Sequence, residues 1–381
     1  MRSYDIVIAG AGPAGSTLAL LAARRGARVM LVERSRFDRP RVGETAPPEF
    51  RAALSHLGLG RLVSEPLCCD AAATTSIWGE AAPRFRHHIV SPYGPALHLD
   101  RNAFDKAFAS EAENAGADVR IGCDVQFEPR PEGGHRVRLS TGEHVRATFA
   151  VLATGRVGGG LGLPYQRRYL DANVAVGARL RARSLSHESS TIIEAVSGGW
   201  FYFAARPDKD ISIVFVTLAE LVPSHREVRL QWWLRALART RWVRAAANGC
   251  RLPEFLLVRN ARASFAEIGG GPNWFAIGDA RIALDPLSGQ GILWALDDAV
   301  ASIDRLPGTS VRDPSVDMQT QTLRDVDAYL RQRSAVYSHE QRFGDDRFWE
   351  SVVDRSDGFY GPKSSAQGRP TTSKPLPPET E

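Results

Sequence analysis

The chain has 381 residues, which is long for one domain and short for three, and its 43% hydrophobic content is ample for a large core. Lys and Arg number 48 against 43 Asp and Glu, so the net charge is +5. The arginines are scattered and no basic stripe is interleaved with aromatic residues, which argues against nucleic acid binding. A solvated basic face or an acidic protein partner explains the charge better.

Membrane, secretory and metal-binding classes are also disfavoured. No apolar run approaches the roughly 18 residues of a membrane span, and the N-terminus carries no charged-then-apolar signal. We therefore expect a cytoplasmic protein with no membrane association. The four cysteines have no metal-ligand spacing, which predicts buried thiols and no metal site.

The chain opens on an apolar strand, residues 4–9, that runs into a Gly-x-Gly-x-x-Gly turn. Gly10 permits the tight turn, Gly12 lets backbone N–H groups approach a pyrophosphate, and Gly15 lets the next helix pack on the strand. A helix and a second buried strand follow, ending at Glu33, which would hold a ribose hydroxyl. The pattern predicts a dinucleotide-binding unit.

A second glycine-rich motif indicates which dinucleotide. Residues 273–277 form an apolar run that ends in Gly278-Asp279, and residues 285–291 lead into an apolar helix. A flavin needs such a second half, because Asp279 offers an acceptor to its ribityl chain and a helix N-terminus stabilises the N1–C2=O edge on reduction. The alternative is that Asp279 is an N-cap and the glycines form a plain turn.

Two smaller motifs lie between these halves. A strand over residues 150–155 ends in Thr-Gly, where Gly155 lets the backbone pass close to a cofactor. Arg101 stands before a helix, where it pairs either with a phosphate or with Asp105 one helical turn on.

Together these motifs resemble the FAD-binding fold of the aromatic hydroxylases, halogenases and geranylgeranyl reductases, over about residues 3 to 305. More specifically, five stretches resemble the flavoproteins that mature quinone-cofactor enzymes such as lysine oxidase, glycine oxidase and quinohemoprotein amine dehydrogenase: 41–48, 76–79, 98–101, 199–204 and 285–291. This resemblance implies an FAD-dependent monooxygenase that uses O₂ and a flavin C4a-hydroperoxide to hydroxylate a tryptophan of a partner quinoprotein subunit.

Motifs and resemblance together predict the cofactor contacts. The residues expected to bind FAD are Gly10, Gly12, Pro13, Ala14, Gly15, Glu33, Arg34, Arg41, Arg101, Gly155, Gly278, Asp279, Pro286, Gly289, Gln290, Gly291 and Ile292. No second Gly-x-Gly-x-x-Gly unit occurs, so electrons come from transiently bound NAD(P)H or from a separate flavin reductase.

The predicted fold class is α/β, with a glutathione-reductase-type Rossmann-like FAD domain, an inserted β-sheet substrate domain and a C-terminal helical layer. The FAD domain comprises residues 1–70, 95–170 and 264–310, and the insertions are residues 71–94 and 171–263. Residues 311–360 form the helical layer and 361–381 a disordered tail. Within the longer insertion we expect a hairpin near residue 208 and one helix over residues 226–247.

The substrate site should lie where the inserted sheet covers the flavin. Trp200 and Tyr202, two apart on one strand, would line a pocket for an indole that Trp78 closes; the alternative is ordinary core packing. Glu44 is a candidate catalytic base, or it caps the helix that follows. His98 is a candidate catalytic residue, or it has a structural hydrogen bond.

Several other functions remain open. In the tryptophan halogenases, a glutamate occupies the position of Ser288, and a catalytic lysine lies in the stretch corresponding to residues 74–86, where this chain has none; both differences disfavour halogenation. A small-molecule aromatic hydroxylase and a prenyl-chain reductase are further alternatives. Outside enzymes, the chain could be a non-catalytic flavin-carrying assembly factor.

Overall fold

The computed structural model describes residues 1–39, 41, 44–64, 66–181, 190–306 and 314–353. The tail predicted over residues 361–381 lies outside them. The strands are β1 (Ser3–Ala9), β2 (Val29–Glu33), β3 (Thr45–Ala46), β4 (Cys68–Ala71), β5 (Ala73–Ile77), β6 (Arg84–His87), β7 (Ala96–Leu99), β8 (Asp118–Ile121), β9 (Val125–Pro129), β10 (His135–Leu139), β11 (His144–Leu152), β12 (Gln166–Tyr169), β13 (Asn173–Arg181), β14 (Ser190–Val196), β15 (Gly199–Ala205), β16 (Asp210–Leu218), β17 (Leu257–Asn260), β18 (Ser264–Ile268), β19 (Gly270–Gly271), β20 (Trp274–Ala276) and β21 (Ile282–Ala283). The helices are α1 (Pro13–Arg24), α2 (Glu49–His56), α3 (Arg101–Asn114), α4 (Arg226–Ala238), α5 (Trp242–Ala246), α6 (Gly291–Ser302), α7 (Pro314–Ser338) and α8 (Arg347–Val353).

An eight-stranded sheet forms one half of the fold. Its main order is β19-β20-β11-β1-β2-β8, with β10 pairing β11 and β9. Side chains of β1 alternate between two cores, Ile6 and Ile8 on the side of α1, α3 and α6, and Val7 and Ala9 on the side of the β9–β10 hairpin. Because both faces are covered, the central strands can be apolar throughout. The predicted α/β fold class is confirmed.

A seven-stranded sheet, ordered β17-β13-β16-β15-β14-β5-β6, forms the second half. Along β15 the residues alternate between its faces: Phe201 and Phe203 pack with Trp233 under α4 and α5, whereas Trp200 and Tyr202 face the side of α7 and α8. Two small sheets, β3-β7-β4 and β12-β18-β21, lie elsewhere in the fold. The hairpin expected near residue 208 is β15 and β16.

One predicted helix is wrong in its extent. The sequence predicts a single helix over residues 226–247, but α4 ends at Ala238 and α5 begins at Trp242. The reason is Glu194 of β14, whose buried carboxylate accepts the backbone N–H groups of Arg241, Trp242 and Val243. Three charge-assisted hydrogen bonds start a new helix there.

The chain has four cysteines, of which Cys68 and Cys123 are buried while Cys69 and Cys250 are partly exposed. Within residues 1–306 and 314–353 as far as they are described, no helix is long and apolar enough to cross a membrane. Among those same residues, no group of three or more His, Cys, Asp and Glu side chains has an arrangement that could hold a metal ion.

Candidate functional site

The three glycines of the first turn have different surroundings. A Cβ added at Gly10, which has a φ of +106°, would lie 2.2 Å from the Ala153 carbonyl oxygen. A Cβ at Gly15 would lie 1.9 Å from the Gly10 oxygen, whereas one at Gly12 meets nothing within 4 Å. Gly12 stands at the start of α1, and no side chain caps that helix. Gly10 and Gly15 therefore serve packing, and Gly12 opens onto space that suits an anion.

Glu33, at the end of β2, is anchored beside this turn. Its buried carboxylate accepts the backbone N–H of Ala11 at 3.0 Å and that of Ser35 at 2.9 Å. Arg41 lies 3.4 Å from the same carboxylate. This position fits an acceptor for ribose hydroxyls.

Arg41 and Arg101 share one buried acid. Arg41 lies 2.6 Å and Arg101 3.0 Å from Asp105, whose side chain is fully buried. Although burial opposes it, Asp105 raises the pKa of Arg101. Arg101 thus makes the ion pair that the sequence left as an alternative. Since Arg41 also reaches Glu33, two guanidinium groups and two carboxylates form one network at this end of α3.

The second glycine motif touches the first. A Cβ at Gly278 would lie 2.7 Å from Cβ of Ala14 in α1, and the Gly278 N–H donates to Asp298 of α6 at 2.7 Å. Asp279 does not cap the short helical turn it occupies; it lies 3.1 Å from Arg156. The N-cap alternative for Asp279 is therefore wrong.

Open glycines continue around this junction. Among the described residues, no atom lies within 4 Å of a Cβ built at Gly155, Gly289 or Gly291, and no side chain caps α6 at its N-cap residue Gln290. Pro286 and Gln290 are exposed and Ile292 is buried, while Arg34 is exposed beside the first turn. Two uncapped helix starts and several unfilled glycine positions fit FAD, which needs close backbone approach along its length.

Between the two halves lies a cavity of about 150 Å³ that reaches Arg101, Glu44, Arg206 and Ser212. The buried Glu44 carboxylate accepts the Ser212 hydroxyl at 2.8 Å and lies 3.7 Å from Arg206. It does not cap α2, which has no side-chain cap, so that alternative is wrong. Sequence reasoning missed Arg206 and Ser212, because only the β15–β16 hairpin brings them beside Glu44.

A chain of hydroxyl groups joins His98 to the inserted sheet. His98 Nε2 lies 3.0 Å from the Thr191 hydroxyl, which lies 3.2 Å from that of Thr45, and Thr45 lies 2.6 Å from the Tyr202 hydroxyl. Burial lowers the pKa of His98 to about 4, and burial followed by Glu44 raises that of Tyr202. At neutral pH His98 is uncharged and Tyr202 keeps its proton. The sequence places Thr45 only as a member of the resembling stretch 41–48, and Thr191 carried no signal in it.

We expect His98 to remain neutral from pH 5 to 8. Its folded-state pKa is depressed, so its contribution to stability is present above pH 6.5 and is lost as the pH falls towards about 4. Nitrogen-15 NMR of the imidazole tests this directly: the ring shifts should be constant above pH 5. A titration near pH 6.5 would show that His98 is solvated and would contradict its buried place in the hydrogen-bonded chain to Tyr202.

The predicted substrate residues differ in burial: Trp78 and Trp200 are buried, and Tyr202 is partly exposed. Trp78 and Trp200 are only 7% and 1% exposed, and Trp78 has edge contacts to Trp200, Tyr337 and Trp349. Their indole N–H groups donate to the Val336 carbonyl and the Tyr337 hydroxyl. Both indole rings are therefore buried in the core between the sheet and helices α7 and α8. Of the three predicted substrate residues, Tyr202 is the one that joins the hydrogen-bonded chain of His98, Thr191 and Thr45. A substrate role for these residues stays a prediction.

Helix α7 holds the loop that precedes α6. The buried Asp285 carboxylate accepts the Tyr337 hydroxyl at 3.0 Å, and Arg333 lies 3.4 Å from it. Arg333 also lies 3.1 Å from Asp171, and the Tyr329 hydroxyl accepts the Asp285 N–H at 2.7 Å. The three side chains come from positions i, i+4 and i+8, hence from one helix face. This cluster fixes the start of the predicted flavin loop and was not visible in the sequence.

Comparison with known proteins agrees with this geometry. A family model described as an FAD binding domain matches residues 3–306. A putative FAD-dependent oxidoreductase of Marinomonas mediterranea, LodB, is 26% identical over 360 residues, which cover 92% of this chain and 97% of that protein.

Two solved structures share the fold. A myxobacterial chondrochloren halogenase, CndH, has a TM-score of 0.77 at 23% identity and covers 92% of this chain and 86% of its own. The peptidyl tryptophan dihydroxylase QhpG, described as essential for tryptophylquinone cofactor biogenesis, has a TM-score of 0.74 at 23% identity, over 92% and 79% of the two chains.

Proposed function

The chain belongs to the FAD-binding-domain family and is a flavin-dependent enzyme, and from that premise we propose that it is a monooxygenase that hydroxylates a tryptophan held in a partner protein. NAD(P)H or a separate reductase supplies two electrons to the flavin. Of the two oxygen atoms of O₂, one enters the ring and the other leaves as water. Bound FAD, once reduced, supplies the means of activating O₂.

The residues around the cofactor have separable tasks in this proposal. Gly12 and the start of α1 receive the pyrophosphate, Glu33 the ribose, and Asp279 the ribityl hydroxyls. The start of α6 offers its positive end to the flavin edge that becomes anionic on reduction. The loop before α6 is held rigid by Asp285, which limits reorganisation when that charge develops.

In this proposal the substrate ring reacts beside the hydrogen-bonded chain of His98, Thr191, Thr45 and Tyr202. The Tyr202 hydroxyl keeps its proton at neutral pH and can donate a hydrogen bond, while His98, Thr191 and Thr45 hold it in place. Exclusion of water from the site is as important as a proton donor, because activated oxygen must react with the aromatic ring before it is lost to water. His98 acts through the threonines, so we assign it a positioning role.

One observation favours oxygenation over halogenation. Halogenation needs an ammonium group beside a carboxylate to deliver hypohalous acid. The ionisable side chains of residues 74–86 are Glu80, Arg84 and Arg86; all three are exposed, and Glu80 forms an ion pair with Arg84. No lysine is present there. The similarity in fold to QhpG and the motif resemblance support a peptidyl tryptophan rather than a free one.

The test supplies the purified chain with FAD, a flavin reductase, NADH and ¹⁸O₂, in the presence of chloride and bromide. The substrates are a tryptophan-containing peptide, its tryptophan-to-phenylalanine counterpart and free tryptophan. We expect one or two ¹⁸O atoms on the tryptophan peptide and no halogen on any indole. Efficient oxygenation of a free small aromatic together with none on the peptide would instead identify a small-molecule hydroxylase, and a halogenated product would refute the proposal.

A further inference from the structure

Among the residues that the structure describes, strand β6 forms an edge of the seven-stranded sheet. It pairs with β5 on one side only and is the last strand in the sheet order. All four of its residues are exposed. An edge strand presents backbone N–H and C=O groups to another extended chain, and natural proteins usually protect such edges.

Charge protects this edge only in part. Arg84 and Arg86 lie on β6, as expected for a protected edge. However, large apolar side chains are exposed beside them: Phe85 at 55%, Ile89 at 86% and Val90 at 85%. Ile89 and Val90 are neighbours in the turn that follows β6, four residues after Phe85. Exposed apolar patches mark interaction sites on monomeric proteins. We call this group, residues 84–90, the β6 edge.

The chemistry of the β6 edge specifies its partner. Residues 81–99 contain no Asp or Glu, and Glu80, just before them, forms an ion pair with Arg84. Among the described residues Arg86 has no such ion pair, so the edge keeps a positive charge. Arg241, beside Trp242 and 5.9 Å from its ring, extends the positive surface, since Trp242 packs edge-on against Phe85 at 6.0 Å. Free backbone groups fit an extended chain, arginines fit carboxylates, and exposed apolar side chains fit alternate apolar residues.

We propose that the β6 edge docks an extended, acidic and apolar segment of the protein whose tryptophan is oxidised, by adding that segment to the sheet as a further strand. This proposal rests on the proposed function for the identity of the partner. A second copy of this chain would bring a basic edge against a basic edge, which electrostatics disfavours.

The order of strands in the sheet sets the distance between a segment bound at the β6 edge and Tyr202. From β15, which carries Tyr202, the order runs through β14 and β5 to β6, and a docked strand is one place further. With strands about 4.8 Å apart, the docked segment lies about 19 Å from Tyr202. An extended chain covers about 3.4 Å per residue, so about six residues must separate the docked segment from the target tryptophan.

Binding is tested with a fluorescent synthetic peptide that carries a Glu-and-Val alternating arm, a Gly/Ser spacer of about eight residues and one tryptophan. The double variant Phe85→Ser with Arg86→Glu should weaken its Kd at least about tenfold, and added salt should weaken wild-type binding. The control Arg138→Glu makes the same charge change at an exposed position of β10, in the other sheet, and should leave the Kd within about twofold. Circular dichroism and the unfolding temperature confirm that each variant is folded.

Equal binding by the double variant and the wild type would overturn the proposal, as would an equal loss in Arg138→Glu. Sedimentation provides a further check: a dimer of wild-type chains that dissociates in the double variant would identify a second copy as the occupant and would also overturn it.

Turnover separates this inference from the proposed function. We expect kcat/KM for oxygenation of the armed peptide to fall when the spacer is cut to about two residues, because the tryptophan then stops short of Tyr202. If the arm binds through the β6 edge but no peptide gains oxygen, the docking proposal is supported and the proposed function is wrong. If peptides are oxygenated equally with and without the arm, the proposed function is supported and the docking proposal is wrong.

Discussion

Replacement of Gly12 by valine is expected to weaken FAD binding by at least about a hundredfold while the unfolding temperature of the FAD-free chain stays unchanged. The reason is the open space at this position: a Cβ meets no atom within 4 Å, and the backbone φ of −78° suits any residue. The side chain would therefore fill the place of the pyrophosphate and nothing else. Fluorescence titration of the apo protein with FAD gives the affinity.

Two matched changes isolate that effect. Gly60 is exposed and equally free of neighbours within 4 Å, so Gly60→Val should leave both FAD affinity and stability unchanged. Gly15→Ala places its methyl 1.9 Å from the Gly10 oxygen and should destabilise the apo chain itself. Normal FAD affinity in the Gly12 variant would show that the pyrophosphate lies elsewhere.

Replacement of Arg333 by methionine is the change with the largest expected effect on stability, about 3–5 kcal/mol at pH 8. Arg333 is the cation that lies between two buried carboxylates, Asp171 at 3.1 Å and Asp285 at 3.4 Å. Its loss leaves both acids in the interior with no cation of the described part of the chain within salt-bridge distance. Urea unfolding at pH 8 measures the difference between variant and wild type.

The pH dependence distinguishes charge from packing. Burial raises the pKa of Asp171 from 3.8 to about 6, and the neighbouring Asp285 adds to the rise while Arg333 opposes it. A carboxyl with a raised folded-state pKa stabilises the fold below pH 3.8, and this contribution is lost as the pH rises through about 6. Without Arg333 the pKa rises further, so the variant's deficit should shrink at pH 5.

A second substitution provides the control. Asp171→Asn in the Arg333→Met background removes one of the two negative charges and should recover part of the stability at pH 8. A deficit that is the same at pH 5 and pH 8, and that Asp171→Asn does not relieve, would mean that Arg333 contributes packing alone.

The nucleotide-binding half was predictable because its signals are local. Gly10, Gly12 and Gly15 act within one turn, and Glu33 follows on the next strand, so spacing along the chain determines their arrangement. The same reasoning predicted the fold class, which the comparisons confirm, and FAD, which the match to an FAD binding domain supports. Each of these residues takes its role from neighbours within one strand–helix–strand unit.

The contacts that build the rest join distant parts of the chain. Tyr337 meets Asp285 across 52 residues and Glu44 meets Ser212 across 168. Neither pair has a spacing that periodicity could detect. Likewise, the alternation along β15 predicted that Trp200 and Tyr202 share a face, but not that Trp349 of α8 would help to cover Trp78 there.

Helix capping shows the same limit. The apolar and helix-forming residues of 226–247 predict one helix, because propensity considers only the segment itself. Glu194 lies 47 residues before Arg241, and its carboxylate ends that continuity by capping α5. A residue outside the segment therefore decides where the segment breaks.

The central claim is that the two glycine motifs, joined where Gly278 meets Ala14, form one site for one FAD. Titration of the apo protein with FAD and with FMN tests it most directly, because FMN lacks the adenylate half that Gly12 and Glu33 should hold. The account predicts one FAD per chain and FMN binding at least about a hundredfold weaker. Equal affinity for FMN, or no flavin binding by the folded protein, would contradict it.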